Sequence, residues 1–342
     1  MKVHLLFLLK NLNKLNLMSR KKKILILGTT GQDGSFMAKF LLNKNFRVHG
    51  LVRKSATGNM SNINELLNNK NFTIHHGDLL DLISIEKIIK EVKPNEIYNF
   101  ADQDHVRWSF EIPSYSFDVT ASSVVKILEL IKNSSPHTKF FQPFSSNIFA
   151  ESKKKKQNEK EHFSPLSIYA LGKVAAFYAC QMYRKVHGLK VYGAIFYNHE
   201  SEIRHEEYVT RKITKSVARI FYGKQKKLYL GDIKTRIDWG YAGDYVKAAY
   251  KIMQLPKPEV FVIGSGKGHT VEYFAKKCFQ HVGLNYKKYL RVDKKLFRPS
   301  KTVSLIANAS KAKKAFNFKI ETNIDKIVSV MMNSDLKIEI NK

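Results

Sequence analysis

Apolar positions change period along this chain, and the changes mark out its elements. Ile24-Leu25-Ile26-Leu27 is a short unbroken apolar run, which predicts a strand covered on both faces. It stops at Gly28, and Gly31 and Gly34 follow at intervals of three residues. From Ser35 to Leu42 the spacing becomes helical, with Phe36, Phe40 and Leu41 on one side. Similar runs predict strands over 47–52, 72–76, 96–100, 139–142 and 260–263. Helical spacing covers 82–92, 166–186 and 271–281, and Pro94 separates the first of these from the strand that follows. Apolar strands alternating with helices predict an α/β fold, a doubly wound parallel sheet, with a smaller lobe built mainly of later segments.

The chemistry gathers at the ends of those strands. A strand, a glycine turn and a helix in that order form a dinucleotide cradle, because glycine lets backbone approach a pyrophosphate and the helix start offers unpaired N–H groups. The alternative is a plain tight turn, which the flanking strand and helix disfavour. Arg53 and Lys54 follow the second strand directly. Two cations there suit the 2′-phosphate of NADP, where a plain adenosine ribose calls for an acid. The third strand runs into Gly77-Asp78-Leu79, a turn whose carboxylate is in reach of an adenine, and the fourth into Ala101-Asp102-Gln103-Asp104-His105-Val106 at the ligand-facing edge. The fifth ends in Pro143-Phe144-Ser145-Ser146-Asn147, and a Lys-rich polar excursion follows over 152–161. Tyr169 and Lys173 then share one helical face at i and i+4. An ammonium beside a phenol is expected to lower the phenol pKa, which suits Tyr169 to proton exchange with a sugar hydroxyl. Tyr-x-x-x-Lys is common by chance, and its weight comes from following a Ser-Ser strand end and a nucleotide cradle.

Composition narrows the classes. Hydrophobic residues at 44% and aromatics at 12% describe a globular protein, and no apolar run is long enough to span a membrane. The two cysteines, Cys180 and Cys278, lie far apart, which fits a reducing compartment, the cytoplasm, and excludes a cysteine-based metal site. The twelve His show no metal-ligand spacing, so no metal is expected. Net charge is +30, from 59 Lys and Arg against 29 Asp and Glu. Such a balance suits nucleic acid or an anionic membrane. The lysines are dispersed instead of gathered on one element, which favours neither partner and leaves a field that attracts anionic substrates. The first 23 residues carry seven Lys or Arg and no acid, around the apolar Leu5-Leu6-Phe7-Leu8-Leu9. They lack the cleavage site of a signal peptide, and a start at Met18 is the simpler account. Residues 1–21 are expected to stand outside the fold.

From about residue 23 to 333 the chain resembles the extended short-chain dehydrogenases/reductases, and within them the GDP-mannose 4,6-dehydratases. The resemblance is carried by Gly28-Thr29-Thr30-Gly31-Gln32-Asp33-Gly34-Ser35, His76-Gly77-Asp78-Leu79 and Lys93-Pro94-Asn95-Glu96-Ile97-Tyr98-Asn99. More specific to that branch are Asn198-His199-Glu200-Ser201 and Val209-Thr210-Arg211-Lys212-Ile213, with Asp238-Trp239-Gly240 beyond them. The resemblance implies a Rossmann-type NADP-binding part over 22–198 and 238–254, interleaved with a sugar-nucleotide lobe over 199–237 and 255–342. It implies NADP held by Gly28, Thr29, Thr30, Gly31, Gln32 and Asp33, by Asp78 and Leu79, and by Phe100, Ala101, Asp102 and Gln103. Arg53, Tyr115, Lys173, His199 and Arg204 complete that set. Asn198, Arg211, Lys212 and Arg298 match contacts to the GDP-sugar. The family reaction is an internal redox cycle. Tyr169 takes the O4 proton as C4 gives hydride to NADP, a carboxylate removes the C5 proton, water leaves C6, and hydride returns to C6. The product is a 4-keto-6-deoxy sugar, and the family assembles as dimers and tetramers.

The chain departs from this pattern at the carboxylate. The family has Thr-Ser-Glu after the fifth strand, and this sequence has Ser145-Ser146-Asn147. Ser145 keeps the hydroxyl, but the amide of Asn147 is no base, and general base catalysis is worth about 10²–10⁴-fold. The family's Ala-x-Ser after the fourth strand is Asp102-Gln103-Asp104 here, so Asp104 is a candidate replacement base. Asn62 stands where the family grips NADP with Arg, Ile237 stands for Arg, and Lys301 stands for an acid. Three functions follow: a dehydratase with an altered base, a GDP-sugar epimerase or reductase that stops at the 4-keto stage, and a binding-only paralogue. Tyr169 and Lys173 argue against the last, since binding alone needs neither.

Overall fold

A computed structural model describes residues 21–297 and 304–340. Residues 1–20 of the expected basic extension, Arg298 and Lys301 lie outside the described residues. The first strand, β1 (Lys23–Leu27), sends Ile24 and Ile26 to one face and Leu25 and Leu27 to the other. Both faces are covered, which is why the strand reads as an unbroken apolar run and not as an alternation. It is followed by α1 (Gln32–Asn43), β2 (Arg47–Val52), β3 (Phe72–His76), α2 (Leu82–Val92) and β4 (Glu96–Asn99). A second half adds α3 (Ser123–Ser134), β5 (Lys139–Ser145), α4 (Ile168–Val186) and β6 (Val191–Phe196). These strands and β10 (Val260–Ile263) form one seven-stranded parallel sheet in the order β10-β6-β5-β4-β1-β2-β3.

The doubly wound expectation therefore holds, and two element boundaries move for local reasons. Strand β5 runs on through Pro143 to Ser145. Its pairing with β4 ends at Phe141, so beyond that point the β4 side demands no donor that proline lacks. Helix α4 starts at Ile168, later than its apolar pattern, because the Ser167 hydroxyl caps it by accepting from Ala170 N at 3.1 Å. One placement also differs: β10 falls in the segment expected in the smaller lobe, yet it forms the edge of the main sheet. Phe261 and Ile263 pack with α6 (Ala242–Met253) on one face, and Val262 joins the core on the other.

A separate core joins α5 (Val209–Phe221), β8 (Leu228–Leu230), α7 (Val271–His281) and α8 (Ile324–Ile340) around Trp239 and Phe274. Trp239 lies on β9 (Arg236–Tyr241), which pairs with β7 (Asn198–Glu200). Its neighbour Asp238 is fully buried and accepts from Ser265 N, Gly266 N and Ala307 N at 2.8 to 3.0 Å. One carboxylate thus ties β9 to two distant segments by satisfying backbone donors that packing would otherwise strand. Among the described residues no helix is long and apolar enough to cross a membrane.

Helix α8 is locked to α5 by charge as well as by apolar packing. Arg211 Nη2 lies 2.8 Å from Asp335 Oδ1, and Arg219 Nε donates to Glu339 at 3.1 Å. Arg211 and Asp335 are both buried. Removing one partner of such a pair leaves the other uncompensated. Asp335→Ala is therefore expected to lower unfolding stability by about 3–5 kcal/mol, while an Arg211→Met/Asp335→Leu double variant recovers most of the loss. Urea denaturation of the three proteins checks this, and equal losses for single and double variants would show that the charge pair is not the cause.

Candidate active site

The turn after β1 is shaped by an absent side chain. Gly28 sits at φ +79°, and a Cβ there would come within 2.5 Å of Ala101 N. Glycine alone permits that approach, which seats the cradle against the loop after β4. Gly31 then starts α1 in an extended conformation with no side-chain cap, so N–H groups of the first turn stay available to an anion. These features fit a nucleotide pyrophosphate. The side chains nearby divide. Thr29 is buried and donates to Ile26 O at 2.9 Å, and Gln32 is bonded to His199 O at 3.1 Å and to the Ser201 hydroxyl at 2.7 Å. Both are left with backbone to offer. The carbonyl of Thr30 accepts from Asn62 Nδ2 at 2.8 Å. Leu79 is part of the core beneath, Phe100 and Ala101 are half-buried, and Asp78 accepts from Leu80 N at 2.9 Å to shape the turn after β3. Arg53 is exposed and donates to the Tyr115 hydroxyl at 3.2 Å, so two residues expected at the same nucleotide do meet.

At the end of β5 the Ser145 hydroxyl neighbours the Tyr169 phenol and acts to lower its pKa. Ser145 Oγ also accepts from Asn147 N at 3.2 Å and from Asn147 Nδ2 at 3.1 Å. Lys173 lies on the same face of α4 and donates to Pro143 O at 2.9 Å. Its ammonium is 2.6 Å from Asp102 Oδ2, in a pair whose side chains are only 5% and 11% exposed. The other oxygen of Asp102 accepts from the Thr120 hydroxyl at 2.7 Å and from Gln103 N at 2.8 Å. Thr120 belongs to a π-helical turn, Asp118–Ser122, a form common at functional sites. Gln103 holds the loop from below, donating to the Ser116 hydroxyl at 2.8 Å and accepting from His105 N at 2.8 Å.

This arrangement corrects one expectation. Tyr169 does not ionise more easily; its pKa is pushed well above the usual 10.0. Burial is the main cause, the charges of Asp102 and Asp104 add to it, and the Ser145 hydroxyl and the charge of Arg204 only partly oppose it. The Lys173 ammonium, which sequence alone assigns to the phenol, is engaged by Asp102 and stands 5.7 Å from the Tyr169 ring centre.

Two further charged groups close the rim. His199 Nε2 meets the Asp33 carboxylate at 2.8 Å, its Nδ1 lies 2.8 Å from Tyr197 O, and its ring stacks on Tyr245. Arg204 lies between two acids, 3.5 Å from buried Glu200 and 3.6 Å from Asp104, with its guanidinium 3.4 Å from the ring centre of Tyr208. Asp104 itself is half-exposed and accepts from the Tyr208 hydroxyl at 2.7 Å. Burial lifts the Glu200 pKa above the ordinary value despite the Arg204 charge and the bond from Thr210.

A family model, GDP-mannose 4,6 dehydratase, matches residues 25–331. The chain belongs to the GDP-mannose 4,6 dehydratase family. Dehydratase 2 of that name from Arabidopsis thaliana is 40% identical, across 93% of this chain and 88% of that protein. The Homo sapiens GDP-mannose 4,6 dehydratase is 36% identical, across 92% and 91%. Among solved structures, dTDP-glucose 4,6-dehydratase from Bacillus anthracis in complex with NAD superposes with a TM-score of 0.81 at 22% identity, covering 93% of this chain and 97% of that one. RMD from Pseudomonas aeruginosa complexed with NADPH gives 0.77 at 17% identity, covering 93% and 100%. At those identities the two structures speak for the fold.

Within this dehydratase family frame, the expected residues separate into those the fold gathers and those it does not. Gly28 to Asp33, Asp102, Asp104, Ser145, Asn147, Tyr169, Lys173, His199 and Arg204 stand around the carboxyl ends of β1, β4 and β5 or the adjoining β7 segment. Arg211 is instead buried against Asp335. Lys212, one residue on, is half-buried, and no ion-pair partner is present for it among the described residues. Asn198 is half-buried on β7 beside Trp239. Sequence reasoning missed Thr120, Glu200 and Tyr208 as site residues. Glu200 lay inside a quoted motif, whereas nothing in local spacing signals Thr120 or Tyr208. Among the described residues no cluster of three His, Cys, Asp or Glu side chains is arranged to hold a metal.

The Asp33–His199 pair has a testable pH signature. Burial works to raise Asp33, but the charge and bonds of His199 outweigh it and leave the pKa below the ordinary 3.8. Burial works to lower His199, and Asp33 outweighs it and leaves the imidazole above the ordinary 6.5. The Asp33 contribution to stability is present above 3.8 and lost as pH falls through its lowered value. The His199 contribution is present below 6.5 and lost as pH rises through its raised value. Asp33→Asn is expected to destabilise most between those two values, with the gap to wild type narrowing on either side, as followed by denaturation at a series of pH values. A gap independent of pH would remove the ion pair from the account.

Proposed function

We propose that the protein is an NADP-dependent dehydratase-like enzyme converting GDP-mannose to GDP-4-keto-6-deoxymannose through a 4-keto intermediate, with the usual base Glu replaced by Asn147. The observation that carries this is the grouping of Ser145 beside Tyr169, with Lys173 on the same helix face, next to a glycine cradle in a chain of this family. NADP is held by backbone of the 28–33 turn, with Arg53 toward the 2′-phosphate and Tyr115 steadying it. Bound there, the nicotinamide supplies the acceptor and later the donor of the sugar's hydride. Tyr169 takes the O4 proton, and Ser145 orients its phenol. Lys212 and Asn198 serve the diphosphate and sugar, an assignment supported for Lys212 by its lack of an ion-pair partner among the described residues.

Asp104 is proposed as the C5 base. It is a half-exposed carboxylate at the carboxyl edge of the sheet, and the Tyr208 hydroxyl and Arg204 orient it. The proton it takes from C5 leaves with the C6 hydroxyl as water. A second reading, a GDP-sugar epimerase or reductase, is favoured by the Asn147 amide donating to Ser145, since that amide has no part in elimination.

Incubation with GDP-mannose and NADP, with the product identified by mass and NMR, separates these readings. Loss of water marks the dehydratase, and a hexose epimerised at unchanged mass, or reduced, marks the second. In deuterated water, wild type is expected to exchange the C5 hydrogen and Asp104→Asn to lose that exchange by about 10²-fold or more. Brisk exchange in Asp104→Asn would end its role as base. Asn147→Glu is expected to raise dehydration.

Cofactor choice is a separate test. Arg53→Glu/Lys54→Glu is expected to weaken NADP binding by about tenfold, the worth of one charge-assisted hydrogen bond, with NAD affinity unchanged or improved. Equal affinity of the wild-type protein for both nucleotides would overturn the NADP assignment.

A further inference from the structure

Asp102 holds the Lys173 ammonium in a clamp built from three parts of the chain. The carboxylate comes from the loop after β4, the ammonium from α4, and a second fixing point from the π-helical turn through Thr120. Asp102 Oδ2 is 2.6 Å from the ammonium, while Oδ1 is held by the Thr120 hydroxyl at 2.7 Å and Gln103 N at 2.8 Å. A Lys ammonium has three N–H donors. One of them goes to Pro143 O, and the contact with Asp102 Oδ2 is a charge pair without a hydrogen bond among the described residues, so donors remain for a ligand or for Tyr169. Both charges are nearly out of water, and a pair buried in this way resists separation because each partner would be stranded.

We propose that Asp102 is a positioning residue for proton transfer at Tyr169, holding Lys173 in a neutral buried pair so that the phenol keeps its proton until a ligand hydroxyl competes for the ammonium. The proposal rests on the reading of Tyr169 and Lys173 as the proton-transfer pair. The groups facing the phenol bear it out in sign. Asp102 and Asp104 face it from the loop after β4, Arg204 and Tyr208 from the 201–208 segment, Lys173 from its own helix and Ser145 from β5. An ammonium paired with a carboxylate adds no net positive charge to this set. Burial and the two acids then hold the phenol protonated, against Ser145 and Arg204. In such a site Tyr169 is poised as a proton donor, and its action as a base waits on the clamp being opened or shared.

The test needs no bound ligand. Protein labelled with ¹³C at the tyrosine ring carbon bearing the hydroxyl is titrated by NMR, and the Tyr169 signal is assigned by its loss in Tyr169→Phe. In wild type that signal is expected to stay in its protonated position well beyond the usual tyrosine midpoint. In Asp102→Ala it is expected to titrate lower by at least about one pH unit. Thr120→Val, which removes one support of the clamp and leaves both charges, is expected to move it the same way by less, and serves alone if Asp102→Ala does not fold. A Tyr169 titration unchanged in the folded variants would overturn the proposal. NADP affinity is read on the same proteins. Freeing Lys173 in Asp102→Ala is expected to tighten NADP severalfold. If no variant binds NADP while the NMR midpoint still falls, the clamp stands and the cofactor assignment fails.

Discussion

The site depends on one backbone contact, between the turn after β1 and the start of the loop after β4. Strands β1 and β4 are neighbours in a parallel sheet, and at this point of a doubly wound fold their outgoing loops part to leave a crevice. Gly28 lets the two loops touch at the base of that crevice, because any Cβ would strike Ala101. From this contact the rest of the edge follows. The 101–106 loop leaves the sheet at a fixed place, so Asp102 meets α4 and Asp104 meets the 201–208 segment.

The charges around the crevice are balanced more closely than the chain as a whole. A net charge of +30 suggests a surface that pulls in anions. Yet Lys173, His199 and Arg204 each have a carboxylate beside them, supplied by Asp102, Asp33, and Glu200 with Asp104. Burial explains the economy, since an unpaired charge away from water costs several kcal/mol on the order of those in known buried pairs. Among the described residues, the backbone N–H groups at the start of α1 have no side-chain cap, and exposed Arg53 has no carboxylate paired with it. The acids also set the chemistry of Tyr169, whose proton is held more firmly than a Tyr-x-x-x-Lys pattern suggests.

Away from the crevice, buried acids act as fasteners. Asp238 gathers three backbone donors from two segments distant in sequence, and Asp335 and Glu339 fix α8 to Arg211 and Arg219 of α5. The Asp-Trp-Gly and Val-Thr-Arg-Lys-Ile segments therefore carry architectural roles alongside any part in binding. Arg211, in a motif read as substrate contact, meets Asp335 through Nη2 and leaves Nε and Nη1 without a hydrogen-bond partner among the described residues, and its neighbour Lys212 has no ion-pair partner among them.

Sequence alone determined the parallel sheet, the glycine cradle, the family and the face shared by Tyr169 and Lys173. These rest on local regularities: period, turn chemistry and i to i+4 spacing are set within a few residues and survive any tertiary context. It also singled out Asn147, Asp102 and Asp104. What it left undecided was how those acids are used, because an ion pair is chosen by distance between elements and not by position along the chain. Asp104 and Asp102 are two residues apart, yet in a loop that bends at Asp102 one meets Tyr208 and Arg204 and the other Lys173 and Thr120. The π-helical turn that brings Thr120 to Asp102 has no local pattern, and Asp335 reaches Arg211 across 124 residues of chain. Only the folded packing decides which carboxylate meets which cation, and with it whether the Tyr169 proton is loosely or firmly held.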